Sequence, residues 1–264
     1  MMHKPLRPAL TPTALYIVAI SKQEPLSPIG AQSLRHVIMA PYNRLHFPCA
    51  KLIAVRIVKT EANGQKAAAL QLDAGDVAAF ERFASRLSEV LKEKWKTEHF
   101  DILINNAGFG VHASLADTTE EQFNSLVNVH LKGVFFLTQK LISSISDHGT
   151  IINVSTGLTR FALEGYGAYA AIKGAVEILT KYMAKEWGRR GIRVNAIAPG
   201  AIATDFRGGA VRDNKKLNDF IGSQTALGRV GEADDIGGLV ASLCTDEMGW
   251  VNAQRIEASG GMFL

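Results

Sequence analysis

Short apolar runs alternate with longer segments of helical periodicity along almost the whole chain, and this alternation restricts the fold more than any single residue does. The runs are residues 13–20, 44–47, 67–72, 102–104, 151–154, 193–197 and 250–256. A run that is apolar on successive residues, not on every second one, fits a strand buried on both faces. Between them lie helical segments at 31–40, 50–62, 77–94 and 118–144, one that carries Tyr169 and Lys173 and runs to about 188, a short one, and one at 232–244. Asn63-Gly64 is a C-terminal stop for the second of these, Asp76 is a candidate cap for the third, and Thr118-Thr119-Glu120-Glu121 reads as a capped start for the fourth. Strand and helix in strict alternation predict a doubly wound, Rossmann-like α/β domain, with a parallel sheet of about seven strands and helices on both faces. A chain of 264 residues suffices for one such domain spanning 1–264. At that length about 70–75% of the unfolded surface is buried, enough for a single core.

Charge and cysteine usage exclude several functions. The net charge is +4, but the basic residues are scattered apart from Lys92-Lys94-Lys96 and Arg189-Arg190, which argues a solvated surface and no nucleic-acid partner. Two cysteines, Cys49 and Cys244, give neither a disulfide framework nor a metal cluster, and reduced thiols imply a cytoplasmic setting. No apolar run reaches the length of a membrane span, and no long apolar core follows the first basic residues, so neither a membrane partner nor a secretory signal is expected.

The chemistry concentrates in Thr150–Glu177. A buried strand, Ile151 to Val154, ends in two hydroxyls, Ser155 and Thr156. A loop then enters a helix carrying Tyr169 and Lys173, which lie one turn apart on one helix face. An ammonium beside a phenol favours the phenolate, so Lys173 is expected to pull the Tyr169 pKa down from its usual value of about 10. A tyrosine so tuned passes a proton near neutral pH. Thr156 or Ser155 would steady the oxygen on which charge develops.

These residues resemble the short-chain dehydrogenase/reductase family, whose mark is Tyr-x-x-x-Lys with a serine thirteen residues earlier; here that position is Thr156. The resemblance extends over residues 50–264 and implies catalytic roles for Tyr169, Lys173, Thr156 and His130. His130 stands in Val129-His130-Leu131-Lys132-Gly133-Val134-Phe135, where relatives carry an asparagine that holds a water in a proton relay to the lysine. An imidazole also donates and accepts. The resemblance implies a cofactor, NAD or NADP, held by several loops. Asp73 would meet the adenine, and Asn106, Ala107 and Gly108 of Asn105-Asn106-Ala107-Gly108 would back the dinucleotide. Pro199, Gly200, Ile202 and Thr204 would meet the nicotinamide amide and a phosphate, and Lys173, beside Tyr169, the nicotinamide ribose. It also implies a small-molecule carbonyl or alcohol substrate and a homo-oligomer, tetramer or dimer. Phe109, Leu158, Phe161, Tyr166 and Phe206 come from loops at the strands' carboxyl edge and are candidates to line the substrate.

The N-terminal segment departs from this pattern. Residues 1–11 read as a loose arm. Seven of eight prolines lie at or before Pro48, whereas Gly30 alone of 24 glycines precedes Gly64. A glycine-rich turn should follow the first strand, because bare glycine backbone lets a pyrophosphate approach. The chain instead reads Ser21-Lys22-Gln23-Glu24-Pro25-Leu26-Ser27-Pro28-Ile29-Gly30, in which only Ile29-Gly30 fits the motif's end. Three readings follow: an active nicotinamide-dependent oxidoreductase, an impaired scaffold that binds dinucleotide weakly or not at all, or a stretch near 22–48 translated out of frame.

Overall fold

The computed structural model describes the backbone of Ala14–Tyr16 and residues 68–264. The expected helices at 31–40 and 50–62, the strand at 44–47, Gly30 and Cys49 lie outside the described residues.

Four strands form one parallel sheet in the order β3-β4-β5-β6: β3 is Phe100–Asn105, β4 Ile145–Val154, β5 Arg193–Pro199 and β6 Arg255–Ala258. The register is direct, with Ile104 opposite Ile152 and Asn153 opposite Ala196. The sheet interior is apolar on both faces, as the continuous runs predict: Ile151, Ile152, Val194 and Ile197 are fully buried. The last strand starts later than residue 250; Trp250 is fully exposed, and Ala253, with a positive φ, donates its amide to the Val194 carbonyl of β5 at 2.9 Å just before the strand begins.

The first strand departs from expectation. β1, Ala14–Tyr16, pairs antiparallel with β2, Gln71–Asp73, in a separate two-stranded sheet. It is not a member of the parallel sheet, and β3 has β4 as its sole sheet neighbour among the described residues. The described strands therefore number four in parallel and two apart from them, where seven in parallel were expected.

The helices follow the sequence closely. Asp76 accepts from the Ala78 amide at 3.1 Å and opens a turn leading into α1, Phe80–Val90. Phe80, Phe83, Leu87 and Val90 recur at helical spacing and are all buried. Thr119 caps α2, Glu120–Val127, in a reciprocal capping box with Gln122. Residues Asn128–Lys132 then form a π-helical turn before α3, Gly133–Leu141. Such a turn inserts one extra residue and re-aims the side chains within it. Gly133 is required here, because a Cβ would stand 2.3 Å from the Ala74 carbonyl oxygen. α4, Gly167–Trp187, packs on β5; after it come α5 (Ala210–Asp213), α6 (Lys215–Ser223) and α7 (Ala233–Leu243).

One polar line crosses the core. Asn105 on β3 donates to Thr138 on α3 at 3.0 Å and to Asn153 on β4 at 2.8 Å, and Asn153 donates to Thr180 on α4 at 2.9 Å. All four side chains are buried, so the amides fasten both helices to the sheet at one level.

Candidate active site

The site is assembled at the carboxyl ends of β3, β4 and β5, where ligands bind in open parallel sheets. Tyr169 and Lys173 sit on the first turns of α4, on one face, and both are buried. The Lys173 ammonium donates to the Val154 carbonyl at 2.7 Å and lies 5.8 Å from the centre of the Tyr169 ring. The strand end and the helix start are thereby locked together through the lysine.

The two terminal hydroxyls of β4 point to different partners. Ser155 donates to Glu177 at 2.6 Å and so faces away from Tyr169. Thr156 holds the Leu158 amide on its Oγ1 at 3.3 Å, and its hydroxyl acts on the Tyr169 phenol, favouring loss of the phenol's proton. Of the two hydroxyls, Thr156 is the one at the tyrosine.

The expected direction of the tyrosine's pKa is overturned. Burial pushes the Tyr169 phenol well above the usual tyrosine value; the Thr156 hydroxyl works against this, and Tyr166 adds to it. Burial also lowers the Lys173 amine to about 7. Loss of solvation outweighs the attraction between the pair: the phenol stays protonated and the amine holds its proton weakly.

His130 belongs to the π-helical turn and is fully buried. Its Nε2 lies 2.8 Å from the Phe109 carbonyl oxygen and 3.2 Å from the Phe109 amide nitrogen. Its ring stands edge-on to Tyr169 with centres 5.4 Å apart. Burial, then the charge of Lys173, hold it well below the ordinary histidine pKa, with the Phe109 carbonyl opposing. The ring is therefore neutral near pH 7, and its Nδ1 has no hydrogen-bond partner. Gly108 makes room for it: a Cβ there would come within 2.6 Å of the imidazole.

The other predicted positions follow the strand ends. Asp73 closes β2 and accepts from the Gly75 amide at 2.8 Å. Asn106, Ala107 and Gly108 form the turn after β3, the Asn106 amide donating to the Ile104 carbonyl at 3.1 Å. Pro199 ends β5, and the Gly200 amide donates to Ala258 at 3.0 Å. A Cβ on Gly200 would stand 2.8 Å from the Ser259 Cα, so glycine is required there. Ile202 bridges to Gly231, and Thr204 accepts from the Phe206 amide at 3.3 Å, a turn that sends Phe206 toward Tyr169, centres 6.3 Å apart.

Phe109 shares one buried cluster with Tyr169, and Leu158 and Phe206 pack against that cluster. Tyr166 stands at the rim, against His112 on one side and the guanidinium of Arg207 on the other, its hydroxyl bonded to the latter. Phe161 goes elsewhere, stacking on Phe263 with centres 4.9 Å apart in the core cluster of Ile221, Val230 and Met262.

Sequence reasoning missed Arg207, His112, Glu177 and Arg255. Glu177 carried a readable signal: it follows Tyr169 by eight residues and Lys173 by four, the spacing of one helix face. Arg207 carried none, because its placement depends on a left-handed backbone (φ 53°) in a loop.

Fold and site together define a Rossmann-like α/β protein with a buried tyrosine–lysine pair at the carboxyl edge of its sheet. Residues 51–263 match the family model described as enoyl-(acyl carrier protein) reductase. An uncharacterized oxidoreductase of Methylorubrum extorquens is 33% identical over 201 residues, 76% of this chain and 79% of that protein. The angucycline C-6 ketoreductase LanV, solved with bound NADP, superposes with a TM-score of 0.76 at 30% identity, covering 81% of this chain and 82% of its own. The ketoreductase LugOII of lugdunomycin biosynthesis gives the same TM-score at 36% identity, covering 83% and 87%. The chain belongs to the short-chain dehydrogenase/reductase family, whose members are nicotinamide-dependent oxidoreductases.

Proposed function

We propose that this chain reduces a small carbonyl compound at the expense of a reduced nicotinamide dinucleotide, with Tyr169 as the proton donor. One observation carries the reading. A buried phenol, kept protonated by its surroundings, has the Thr156 hydroxyl acting on it and lies one helical turn from Lys173. A phenol that keeps its proton at neutral pH is an acid held ready for an alkoxide forming beside it. Thr156 supplies a second hydroxyl to that oxygen. Phe109, Leu158 and Phe206 exclude water, and proton transfer is then confined to the hydroxyls that remain.

The donor set suits a dinucleotide. The Asp73 carboxylate and the Asn106 amide at strand ends, the Lys173 ammonium on α4 and the Thr204 hydroxyl in the loop after β5 are the groups that ribose hydroxyls, amides and phosphates require. Asn106, Ala107 and Gly108 would back it, and Pro199, Gly200, Ile202 and Thr204 would line its nicotinamide end. When bound, it supplies the hydride. The bound NADP of LanV favours NADP over NAD. The rest of the reading is a single cytoplasmic domain that acts on small molecules and assembles as a homo-oligomer.

Tyr169→Phe tests this. General acid catalysis contributes about 10²–10⁴-fold, so turnover should fall by at least the lower figure while dinucleotide affinity stays within about twofold. Undiminished turnover removes Tyr169 from the reaction.

One observation favours the alternative, a scaffold that binds dinucleotide weakly or not at all: β1 is paired with β2 and not with β3. The strand that should lead into a pyrophosphate turn is then not part of the parallel sheet. Calorimetric titration of the purified chain with NADPH separates the two, micromolar affinity supporting the enzyme and millimolar or no binding the scaffold.

A further inference from the structure

The hydroxyl at Tyr169 is presented by a segment held from behind by an ion pair. Glu177, on α4, accepts through Oε1 from Ser155 at 2.6 Å, from Thr159 at 2.7 Å and from Arg255 Nε at 2.9 Å. Arg255, on β6, extends Nη2 to the Thr156 carbonyl at 3.2 Å and Nη1 to Glu257 at 3.0 Å. Glu257 in turn holds Arg160 through both oxygens, at 2.7 and 2.8 Å, and Arg160 donates to the carbonyls of Met262 and Phe263. Three of the five residues from 155 to 159 are thus bonded to one carboxylate–guanidinium pair. The pair is largely enclosed, with side-chain exposures of 15% for Glu177 and 23% for Arg255.

Threonine makes this matter. A β-branched side chain has few χ1 choices, so the backbone of residue 156 fixes where its hydroxyl stands. That backbone is extended (φ −159°, ψ 153°) and its carbonyl is the atom Arg255 grips. A serine would correct a small backbone shift by turning about χ1; Thr156 does not.

We infer that Glu177 and Arg255 are positioning residues that hold the Thr156 hydroxyl against Tyr169, acting on the reaction only through Thr156. Enclosed ion pairs contribute little net stability, because desolvation offsets their attraction, so the main effect falls on geometry. A misplacement of about 1 Å at a reacting group costs on the order of 10²-fold in rate. The inference rests on the reading of Tyr169 and Thr156 as the proton-transfer pair.

The experiment has two arms. In the first, kcat and KM are measured for Arg255→Met, Arg255→Lys and Glu177→Gln on a carbonyl compound that the unmodified protein reduces. The Met and Gln variants should lose about 10–100-fold in kcat, with KM for the nucleotide within about twofold, and Lys should recover part of the loss. In a Thr156→Ala background, adding Arg255→Met should change kcat by less than about twofold, since the path runs through the missing hydroxyl. A full loss in that background, or no loss in the unmodified one, overturns the inference. The second arm needs no turnover: amide hydrogen exchange at Leu158 and Thr159, which bond Thr156, should accelerate at least about tenfold in Arg255→Met while Ile152 and Ile197 stay protected. Unchanged exchange at Leu158 overturns the inference even in a chain that reduces nothing. Accelerated exchange in a chain without turnover retains the positioning role and discards the enzymatic reading.

Discussion

The Lys173 ammonium donates to the carbonyl of Val154 at 2.7 Å, tying the helix that carries the tyrosine to the strand that carries the threonine. The bond is made in a site so enclosed that the amine's pKa falls to about 7. A lysine ionising there is charged below neutrality and uncharged above it. Its charge favours loss of the phenol proton, and kcat/KM of the oxidative reaction should therefore respond to a group near pH 7. Lys173→Arg, which keeps its charge throughout, should remove that inflection. A pH–rate profile of the two proteins checks it.

The same lysine affects stability. Its folded pKa lies below the unfolded value, so between about pH 7 and the ordinary lysine range the unfolded chain binds the extra proton. Stability from this group must rise with pH across that interval, by at most ~1.4 kcal/mol per pH unit, and its penalty is fully present below pH 7. The Cys244 thiol, raised by burial to about 11, and the Tyr169 phenol, also raised, act with the opposite sign once their unfolded forms ionise, above about pH 9. The clean window is pH 7 to 9. Urea midpoints of the unmodified protein should climb there, and those of Lys173→Met should climb less; equal slopes would show that Lys173 is solvated.

Gly108 and His130 offer a sharper steric test. A methyl at residue 108 would lie 2.6 Å from the imidazole, whose Nε2 is fastened to the Phe109 backbone. Overpacking of this kind costs about 1–3 kcal/mol. Gly108→Ala should lose that much stability and push His130 into the Tyr169 ring, lowering turnover by more than tenfold. Shortening the ring in Gly108→Ala/His130→Ala should restore the fold though not the rate. Chemical denaturation with a parallel rate measurement separates the two effects.

Legibility of the fold in the sequence followed locality. Helix α1 could be read from Phe80, Phe83, Leu87 and Val90 at period 3.6 with Asp76 ahead of them, because cap and stripe lie within one segment. The central strands β4 and β5 were readable for the same reason, each holding a short apolar run buried on two faces. Which edge the first strand joins was not, since pairing β1 with β2 instead of β3 depends on partners more than fifty residues away. At the site, the Tyr169–Lys173 face and the hydroxyl at Thr156 were readable from spacing alone. The sign of the tyrosine's pKa was not. It depends on how completely Phe109, Phe206 and His130 enclose the ring, and three separate loops and turns deliver them.

The buried amides give a stability prediction. Asn153, fully buried in the sheet, accepts from Asn105 and donates to Thr180. Asn153→Ala removes both bonds and leaves the Asn105 amide with Thr138 alone among the partners named here. An unsatisfied buried group costs about 1–3 kcal/mol. The urea midpoint should fall accordingly, with little change in nucleotide affinity, as the ladder runs beneath the site. Asn153→Asp should be worse, because a carboxylate at that depth has neither solvent nor a cation beside it.

The proposed homo-oligomer has one candidate contact surface. Phe135 on α3 and Ile178 and Tyr182 on α4 are exposed at 41%, 53% and 65%, and they border one groove with Met183 and Trp187. Scattered apolar side chains on a surface need no explanation; three large ones sharing a groove are a patch that a second copy would cover. Burying each is worth about 1.5–3 kcal/mol at full burial. Charge at two of them, Ile178→Glu with Tyr182→Glu, would have to be desolvated on association. Light scattering after size exclusion should show a smaller species for this variant than for the unmodified protein, at unchanged circular dichroism. If both elute as the same species, the groove is not the contact that holds the oligomer together, and the reading of the chain as a homo-oligomer loses its structural support.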